Sequence, residues 1–364
     1  MVTVLILALR VLFAAMLPTC DQTASTNGIV GRGMAVWAQS PPSSAVGVTS
    51  TYYIGPSGSD SNAGTQAKPW KTIRGSVSKL QAGDTAILLD GTYEEGEVSW
   101  RNNGTPDKPI TIRAANKWKA ILSSTSGCNP AISVYGSYAV IQDLRIAVSP
   151  NNQGCSVMSS ANSAIRAWEV NPPTSAKPST GSEGFTARGL FVDASSQRAV
   201  GIKTNQDKSL IENCELHSSL EAFNNTDTVF RNNVIYGGDA WGDSIYGKGG
   251  VHNFQMYGNT LHMQNASGRG MFLGGNSGTQ WVYDPTTGYE AYNSIARDNT
   301  IINETGNVKA RTLGLVGTKD STLQNNVRVN GGQIWLSPGG PWQSTRAPMP
   351  VGSTISGNTG MALP

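Results

Sequence analysis

The sequence predicts an all-β solenoid, a chain wound into stacked coils of parallel strands. Three observations predict it. The first is composition: 42 of the 364 residues are Gly and 28 are Asn, with 18 of the Asn after residue 182. Charged residues are 14% of the chain, against roughly 25% in a typical domain. The second is a repeated phrase. The third is the spacing of apolar residues around that phrase, which alternates with period two, as a strand requires. The low charge and the net +3 exclude a coiled coil, a charged tail and a polybasic nucleic-acid binder. With 38% hydrophobic residues, including nine Trp and eleven Tyr, the chain can bury a substantial core.

The phrase reads apolar, any, Asn/Gly/Asp, Asn. It occurs as Ile211-Glu212-Asn213-Cys214, Phe230-Arg231-Asn232-Asn233, Met256-Tyr257-Gly258-Asn259, Ala296-Arg297-Asp298-Asn299, Leu323-Gln324-Asn325-Asn326 and Ile355-Ser356-Gly357-Asn358. Ile141-Gln142-Asp143-Leu144 is a degenerate earlier copy. Successive fourth positions lie 19, 26, 40, 27 and 32 residues apart, enough for one coil and a variable loop each. Asn tolerates the left-handed backbone of a tight turn. Stacked Asn side chains can bond to one another and to the backbone of neighbouring coils. Two residues beyond the turn the chain is apolar again, at Leu216, Ile235, Leu261 and Ile301. Each coil then buries its inner face against the next.

A solenoid needs its first coil covered. Pro69–Leu80, with Pro at the start and Ile73, Val77 and Leu80 at helical spacing, predicts an N-terminal helical cap. A strand at Asp84–Asp90 follows, then a turn at Asp90-Gly91-Thr92-Tyr93, and further strands within Arg101–Ile112 and Ile132–Ile146. Asn162–Phe185, rich in Pro, and Asn276–Tyr289 read as loops or insertions.

The N-terminus reads as an address. Val2–Leu17 is apolar except at Thr3 and Arg10, too short for a membrane span. Val36-Trp37-Ala38 before Gln39 is a small-residue cleavage signal. The expected organisation is a signal peptide at 1–38, a Pro/Ser linker at 39–50 and one β-solenoid domain at 51–364, secreted or periplasmic. Cysteine usage agrees: Cys128 and Cys155, 27 residues apart, can stack on successive coils and form a disulfide, while Cys214 reads as a small buried residue.

Candidate chemistry comes from the repeat used as a ruler. Lys203 and Lys248 each lie 11 residues before a fourth phrase position, at Cys214 and Asn259. This predicts the same site on the same strand two coils apart, about 10 Å. The shorter coil between them brings Asn224 or Asn225 near that column. Three positions beyond the turn stand His217, Tyr236 and His262, predicted to flank the lysines across one groove. Tyr236 and Tyr257 are candidate aromatic contacts for a sugar. Glu290, in the coil after Lys248, is a candidate partner of it or of substrate. Lys248-Gly249-Gly250 reads as a turn, since no helix follows that would make it a phosphate cradle. No Cys/His spacing fits zinc.

Tyr52-Tyr53-Ile54-Gly55-Pro56-Ser57-Gly58-Ser59-Asp60-Ser61-Asn62-Ala63-Gly64-Thr65, followed by Lys68-Pro69-Trp70, resembles the opening of secreted right-handed parallel β-helix proteins. Gly83-Asp84-Thr85 and Gly104-Thr105-Pro106-Asp107-Lys108-Pro109-Ile110 strengthen the likeness. The family is the pectate-lyase-like superfamily, nearest to the chondroitinase-B and alginate-lyase family, and the likeness spans Tyr52 to Asn358. It implies a polysaccharide lyase that cleaves an acidic, uronate-containing polymer by β-elimination, acting as a monomer. In that family a Lys on such a strand is the base. Ala199-Val200-Gly201-Ile202-Lys203-Thr204, followed by Ile211-Glu212-Asn213, is similar to the family's Lys segment. The resemblance therefore gives Lys203 the role of base. Lys248 and Arg269 would neutralise the substrate carboxylate, and His217, Tyr236 or His262 would supply acid or substrate contacts. The sequence departs from the family in two places. Phe223 is followed by Asn224 where the family has Arg, and Arg198 and Ser196 stand where it has acidic calcium ligands. No cofactor is firmly implied, and calcium stays open. Two other classes stay open as well. One is a pectinase-like hydrolase using Asp residues, to which Asn225-Thr226-Asp227, Asp239 and Asp243 point. The other is a non-catalytic glycan-binding β-helix.

Overall fold

The computed structural model describes residues 49–125, 129–148, 163–169, 181–194, 200–237, 243–265, 267–277, 282, 286–339 and 348–361. The chain divides into two units, Met1–Val46 and Gly47–Pro364. The first unit lies outside the described residues, and with it the expected signal peptide. The expected linker lies outside them as far as residue 48, as do Cys128 and Cys155 and hence the disulfide expectation.

The described part of the second unit is a parallel β-helix. Its strands assemble into sheets of eleven, ten and nine strands, with a fourth ladder of three. One coil shows the path. Leu210–Glu212 runs in the eleven-stranded sheet, Glu215–His217 in the ten-stranded sheet and Ser219–Phe223 in the nine-stranded sheet, before Val229–Arg231 opens the next coil. Every strand pairs parallel to its counterpart one coil away, as in Leu210↔Val229, Glu215↔Val234 and Leu220↔Ile245. The inward positions stack as columns. Ile141, Ala187, Ile211, Phe230, Met256, Ala296 and Leu323 are in register and fully buried. Each large apolar side chain buried this way contributes about 1.5–3 kcal/mol of transfer free energy.

The repeated phrase splits its work between two residues. The third position is left-handed, with φ of 54° at Asn213, 54° at Asn232, 65° at Gly258, 55° at Asp298, 53° at Asn325 and 63° at Gly357. The fourth position forms a buried ladder along the solenoid. Asn233 Nδ2 donates to Asn259 Oδ1 at 3.0 Å, Asn259 to Asn299 at 3.0 Å, Asn299 to Asn326 at 2.8 Å and Asn326 to Asn358 at 2.8 Å. Each of these oxygens also accepts a backbone N–H, as Asn299 Oδ1 does from Asn259 at 2.9 Å. Each Nδ2 also donates to a carbonyl, as Asn299 does to Met256 at 3.0 Å.

Differences in coil length are absorbed on either side of the nine-stranded sheet. Only Ser218 separates His217 from Ser219, whereas residues 237–244 separate Tyr236 from Ile245. Five residues join Phe223 to Val229, and sixteen join Gly274 to Ala291. The loops therefore cluster around one sheet, and that sheet carries the lysines.

The expected helix is shorter than Pro69–Leu80. It spans Ile73–Val77, with Thr72 as N-cap accepting from the Gly75 N–H. Pro69 and Trp70 belong instead to the preceding loop: Trp70 pairs with Ile54 and stacks on Tyr52 at 4.6 Å. The Glu95 carboxylate accepts the Ile73 and Arg74 N–H groups at 2.6 and 2.8 Å. Ile73, Val77 and Leu80 are fully buried. Among the described residues no helix is long and apolar enough to cross a membrane. One expected loop is corrected: Asn162–Phe185 contains the strand Ser163–Ala167, which pairs with Val200–Thr204. The prolines that suggested a loop all lie after it.

Candidate functional site

Along a strand of the nine-stranded sheet alternate residues face inward and outward. One outward column runs through the whole sheet in register: Ser99, Ser133, Arg166, Lys203, Glu221, Tyr246, Phe272, Gly314 and Trp335. Lys203 stands near its middle.

Lys248 is not in this column. Glu221 registers with Tyr246, and Phe223 with Lys248, so Lys248 sits two residues further along the strand than Lys203. The ruler drifts because the chain from the column to the asparagine turn lengthens by one residue per coil. It is 11 residues from Lys203 to Cys214, 12 from Glu221 to Asn233 and 13 from Tyr246 to Asn259. A drift of two preserves the outward face, so both lysines reach the same side of the sheet.

They meet on Glu221. Lys203 Nζ is 3.0 Å from Glu221 Oε2 and Lys248 Nζ 3.5 Å from Oε1, with the Tyr246 hydroxyl donating to Oε2 at 3.3 Å. The Glu221 side chain is 2% exposed, that of Lys203 12% and that of Lys248 21%, so the ammonium groups are desolvated yet reachable. Aromatic rings wall the site. Trp168 and Phe223 stack at 6.1 Å, and Lys203 Nζ lies 5.6 and 5.0 Å from their centroids. Lys248 Nζ lies 5.0 Å from the Tyr246 ring.

The two lysines differ electrostatically. Burial, reinforced by the charges of Lys248 and Arg166, holds the Lys203 ammonium below the usual lysine range in spite of Glu221. Burial acts the same way on Lys248, but the carboxylates of Glu221, Glu290 and Asp243 outweigh it and raise that ammonium above the range. Burial alone would raise the Glu221 carboxyl; the two ammonium groups prevail and keep it low. Of the two ammonium groups, Lys203 is therefore the one that gives up its proton first.

Other predicted site residues lie elsewhere or are engaged. Arg269, the expected carboxylate clamp, is already engaged by a carboxylate of the protein. It begins the strand Arg269–Gly274, five residues before the level of Lys248, and makes a two-point ion pair with Asp243, with Nε 2.8 Å from Oδ1 and Nη2 closing on Oδ2. Asn224 is a left-handed turn residue (φ 47°) whose N–H donates to the Lys248 carbonyl, and it is buried. Asn225 is fully buried and donates to the Thr204 and Gln206 carbonyls. The Asn225 side chain thus ties backbone together, and both residues are buried. Tyr257 stands on the eleven-stranded sheet, where its hydroxyl accepts from Arg231 and Arg297 covers its ring at 4.4 Å. Glu290 is buried and accepts the N–H groups of Gly249 (2.8 Å) and Ser277 (2.6 Å). It thus pins the turn after Lys248, where Gly249 has φ of 74° and an added Cβ would lie 2.9 Å from the Phe223 ring.

His217, Tyr236 and His262 form a stack on the ten-stranded sheet. Ring centroids are 4.9 Å apart from His217 to Tyr236 and 4.4 Å from Tyr236 to His262, and Phe191 continues the stack 5.2 Å from His217. His217 pairs with Glu215 at 3.1 Å and His262 with Glu304 at 2.7 Å. Tyr236 thus lies between the two histidine rings, and His217 between Tyr236 and Phe191. Cys214 is buried, and burial pushes its thiol up to about 12.

Sequence reasoning missed Arg166, Trp168 and Glu221. Arg166 and Trp168 lie on or beside the strand mistaken for a loop. Glu221 stands in the Lys203 register one coil on, but the coil is one residue longer there, which hid it from the ruler. Arg166 is adjacent to Lys203 in register and has no carboxylate partner among the described residues; its guanidinium lies 4.9 Å from the Trp168 ring. Glu221, the carboxylate in contact with Lys203, is committed to two ammonium groups, and among the described residues there is no group of three His, Cys, Asp or Glu side chains that could hold a metal. Ser196 and Arg198 lie outside the described residues.

Comparison with known proteins agrees with this architecture. A curated relative, the uncharacterized protein YwoF of Bacillus subtilis (strain 168), is 33% identical over 105 residues, covering 26% of this chain and 22% of that protein. The lacto-N-biosidase of glycoside hydrolase family 136 from Eubacterium ramulus superposes with a TM-score of 0.59 at 12% identity, over 79% of this chain and 58% of that one. A rhamnogalacturonan lyase superposes with a TM-score of 0.50 at 16% identity, over 80% and 77%. At such identities the likeness is one of fold, and it spans hydrolases and lyases alike. This chain covers only about a fifth of YwoF and just over half of the biosidase. The family model described as Pel9A-like, right handed beta helix region, matches residues 52–243, more than half of the sequence, and the chain belongs to that family within the pectate-lyase-like superfamily.

Proposed function

We propose that this protein is a polysaccharide lyase that cleaves an acidic, uronate-containing polymer by β-elimination, with Lys203 as the base. One observation carries the reading: a lysine on an outward sheet face, walled by aromatic rings, is held below its usual pKa among an excess of cations. Neutral Lys203 takes the proton α to the uronate carboxylate. The C–H electrons form the ring double bond, the bond to the glycosidic oxygen breaks, and that oxygen takes a proton, which the new Lys203 ammonium can return. Arg166, about one strand spacing away (~4.8 Å), neutralises the carboxylate and so acidifies the α-proton. Lys248 keeps Glu221 ionised and occupied, leaving Lys203 as the group that gives up its proton.

The hydrolase reading is weaker on this face. It requires one carboxyl held protonated and a second as base or nucleophile. Glu221 is held ionised by two ammonium groups, and Asp243 is paired with Arg269. Asp227 is a left-handed turn residue that accepts from Asn253, and Asp239 lies outside the described residues.

The same reading includes export. A leader at 1–38 and a linker at 39–50 would deliver a monomer outside the cell or to the periplasm, and N-terminal sequencing of the exported protein tests this. The helix Ile73–Val77 would cap the first coil, as the burial of Ile73, Val77 and Leu80 supports.

The decisive test incubates the mature chain with alginate, pectate, chondroitin, hyaluronan and neutral glycans, following ultraviolet absorbance and reducing ends together. Both rising on one acidic polymer establishes the lyase and names its substrate. Reducing ends alone would replace elimination by hydrolysis. Silence on every polymer, with retardation of an acidic one on a gel, would favour the non-catalytic binding reading.

A further inference from the structure

The face that carries Lys203 continues toward the N-terminal end of the sheet and meets a second cationic feature. Ser99 lies in the same outward column as Lys203, three strands away, which is about 14 Å at ~4.8 Å per strand. Around Ser99 a cavity of about 580 Å³ is lined by Arg74, Glu97, Arg101, Asn129 and Tyr135. That volume suits one or two sugar units, within the usual range of about 300–1,000 Å³ for small-ligand sites. Three separate segments build it. Arg74 comes from the helix Ile73–Val77, and its main-chain N–H is anchored by Glu95. Arg101 follows the strand Val98–Trp100, and its guanidinium lies 4.5 Å from the Tyr135 ring. Neither guanidinium has a carboxylate within ion-pair distance among the described residues. With Glu97 included, the cavity carries a net charge of about one positive.

We infer that the Arg74–Arg101 cavity is a second anion-recognition station on the lysine face, taking the carboxylate of a sugar about three units from the one held at Arg166 and Lys203. The inference rests on the polyuronate reading of that face and extends it. An extended acidic glycan repeats its carboxylate at nearly the strand spacing, so a chain lying along the solenoid axis brings successive carboxylates over successive strands. Two cationic stations separated by the relatively uncharged Ser99 and Ser133 read such a chain at two points. A polymer or long oligomer engages both; a dimer engages one. The substrate is then a run of several uronates, and cleavage falls within the chain rather than at its end.

The test is calorimetric titration of the full chain carrying Lys203→Ala, so that no ligand is consumed. The probes are dimers and hexamers of galacturonate, mannuronate and guluronate. The expected result is at least one series whose hexamer binds ten times or more tighter than its dimer. Adding Arg74→Gln and Arg101→Gln together should cut that ratio below threefold. Glu97→Gln, which removes the cavity's one carboxylate, should widen it. A tenfold ratio that survives the double substitution, or no length advantage in any series, overturns the inference. Ultraviolet absorbance of the unsubstituted chain on the polymers separates the two ideas. Elimination without a length advantage keeps the lyase and sinks the station, whereas a length advantage lost with the arginines but no elimination does the reverse.

Discussion

The asparagine turn and the lysine face belong to the same coils yet treat buried polar groups in opposite ways. In the turn, every amide of the ladder from Asn233 to Asn326 both donates and accepts, and nothing is left over. On the face, Lys203 and Lys248 share one carboxylate, and Arg166 beside Lys203 has none among the described residues. A satisfied network rigidifies, while an excess of desolvated charge is costly to the fold and is useful when a ligand completes it. The lesson is that the residues most visible as a repeat are structural, and the candidate site lies where the charge count does not close.

The contrast can be broken or sharpened by substitution. The largest expected effect is on rate: Lys203→Ala should lower turnover of the acidic polymer by about 10²–10⁴-fold, the usual contribution of a general base, with the melting temperature little changed. Undiminished turnover would remove Lys203 from the chemistry. In the turn, Asn299→Leu should cost about 4 kcal/mol, because it strands the Asn259 donors, the Asn326 acceptor and the Met256 carbonyl. Denaturant unfolding would show it, and a loss under 1 kcal/mol would mean the ladder is ornamental.

Glu221→Gln joins the two regimes. Leaving two desolvated ammonium groups without their carboxylate should destabilise by about 3 kcal/mol. It should also lower the Lys203 pKa further, moving the rising limb of the pH–rate profile to lower pH. In the unsubstituted protein the proposed mechanism, which uses the neutral amine, places that limb below the ordinary lysine range. A limb that stays put would assign the profile to another group. Acid should act more mildly. Glu212 and Glu221 are both held low by their cation partners. The stability they contribute is therefore complete above the unfolded glutamate value of about 4.3 and is lost as pH falls through their lower folded values. Melting scans between pH 5 and pH 2 would follow this, and a flat profile would contradict it. The smallest effect belongs to the exposed Arg297–Asp298 pair: Arg297→Gln should shift stability by no more than about 0.5 kcal/mol.

Much of the fold was legible in the residues. The third phrase position had to tolerate a left-handed turn and the fourth to stack, and both constraints are local enough to leave a signature. The core columns followed from period two. The helix was overextended because Pro69 begins helices often, yet here Trp70 is taken by Ile54 and Tyr52 in a contact no local pattern announces. At the candidate site only half was legible. Lys203 and Lys248 were found and do converge, but through Glu221, which stands one residue off the expected count. Arg166 was invisible because its strand is followed by prolines. Tyr257 was chosen for its residue type and stands on another sheet; Asn224 and Asn225 were chosen for their place near the lysine column and are buried.

The sequence by itself determined the solenoid, because a coil's turn and its alternating strand are written within a few consecutive residues. It also determined which residue types could bear charge along it. The tertiary structure alone decided which of those charges meet. Strand partners on neighbouring coils lie 18 to 46 positions apart, and the connections between them vary in length. A drift of one residue per coil therefore decides whether Lys203 faces another lysine or a carboxylate, and its depressed pKa arises only once stacking has removed it from water.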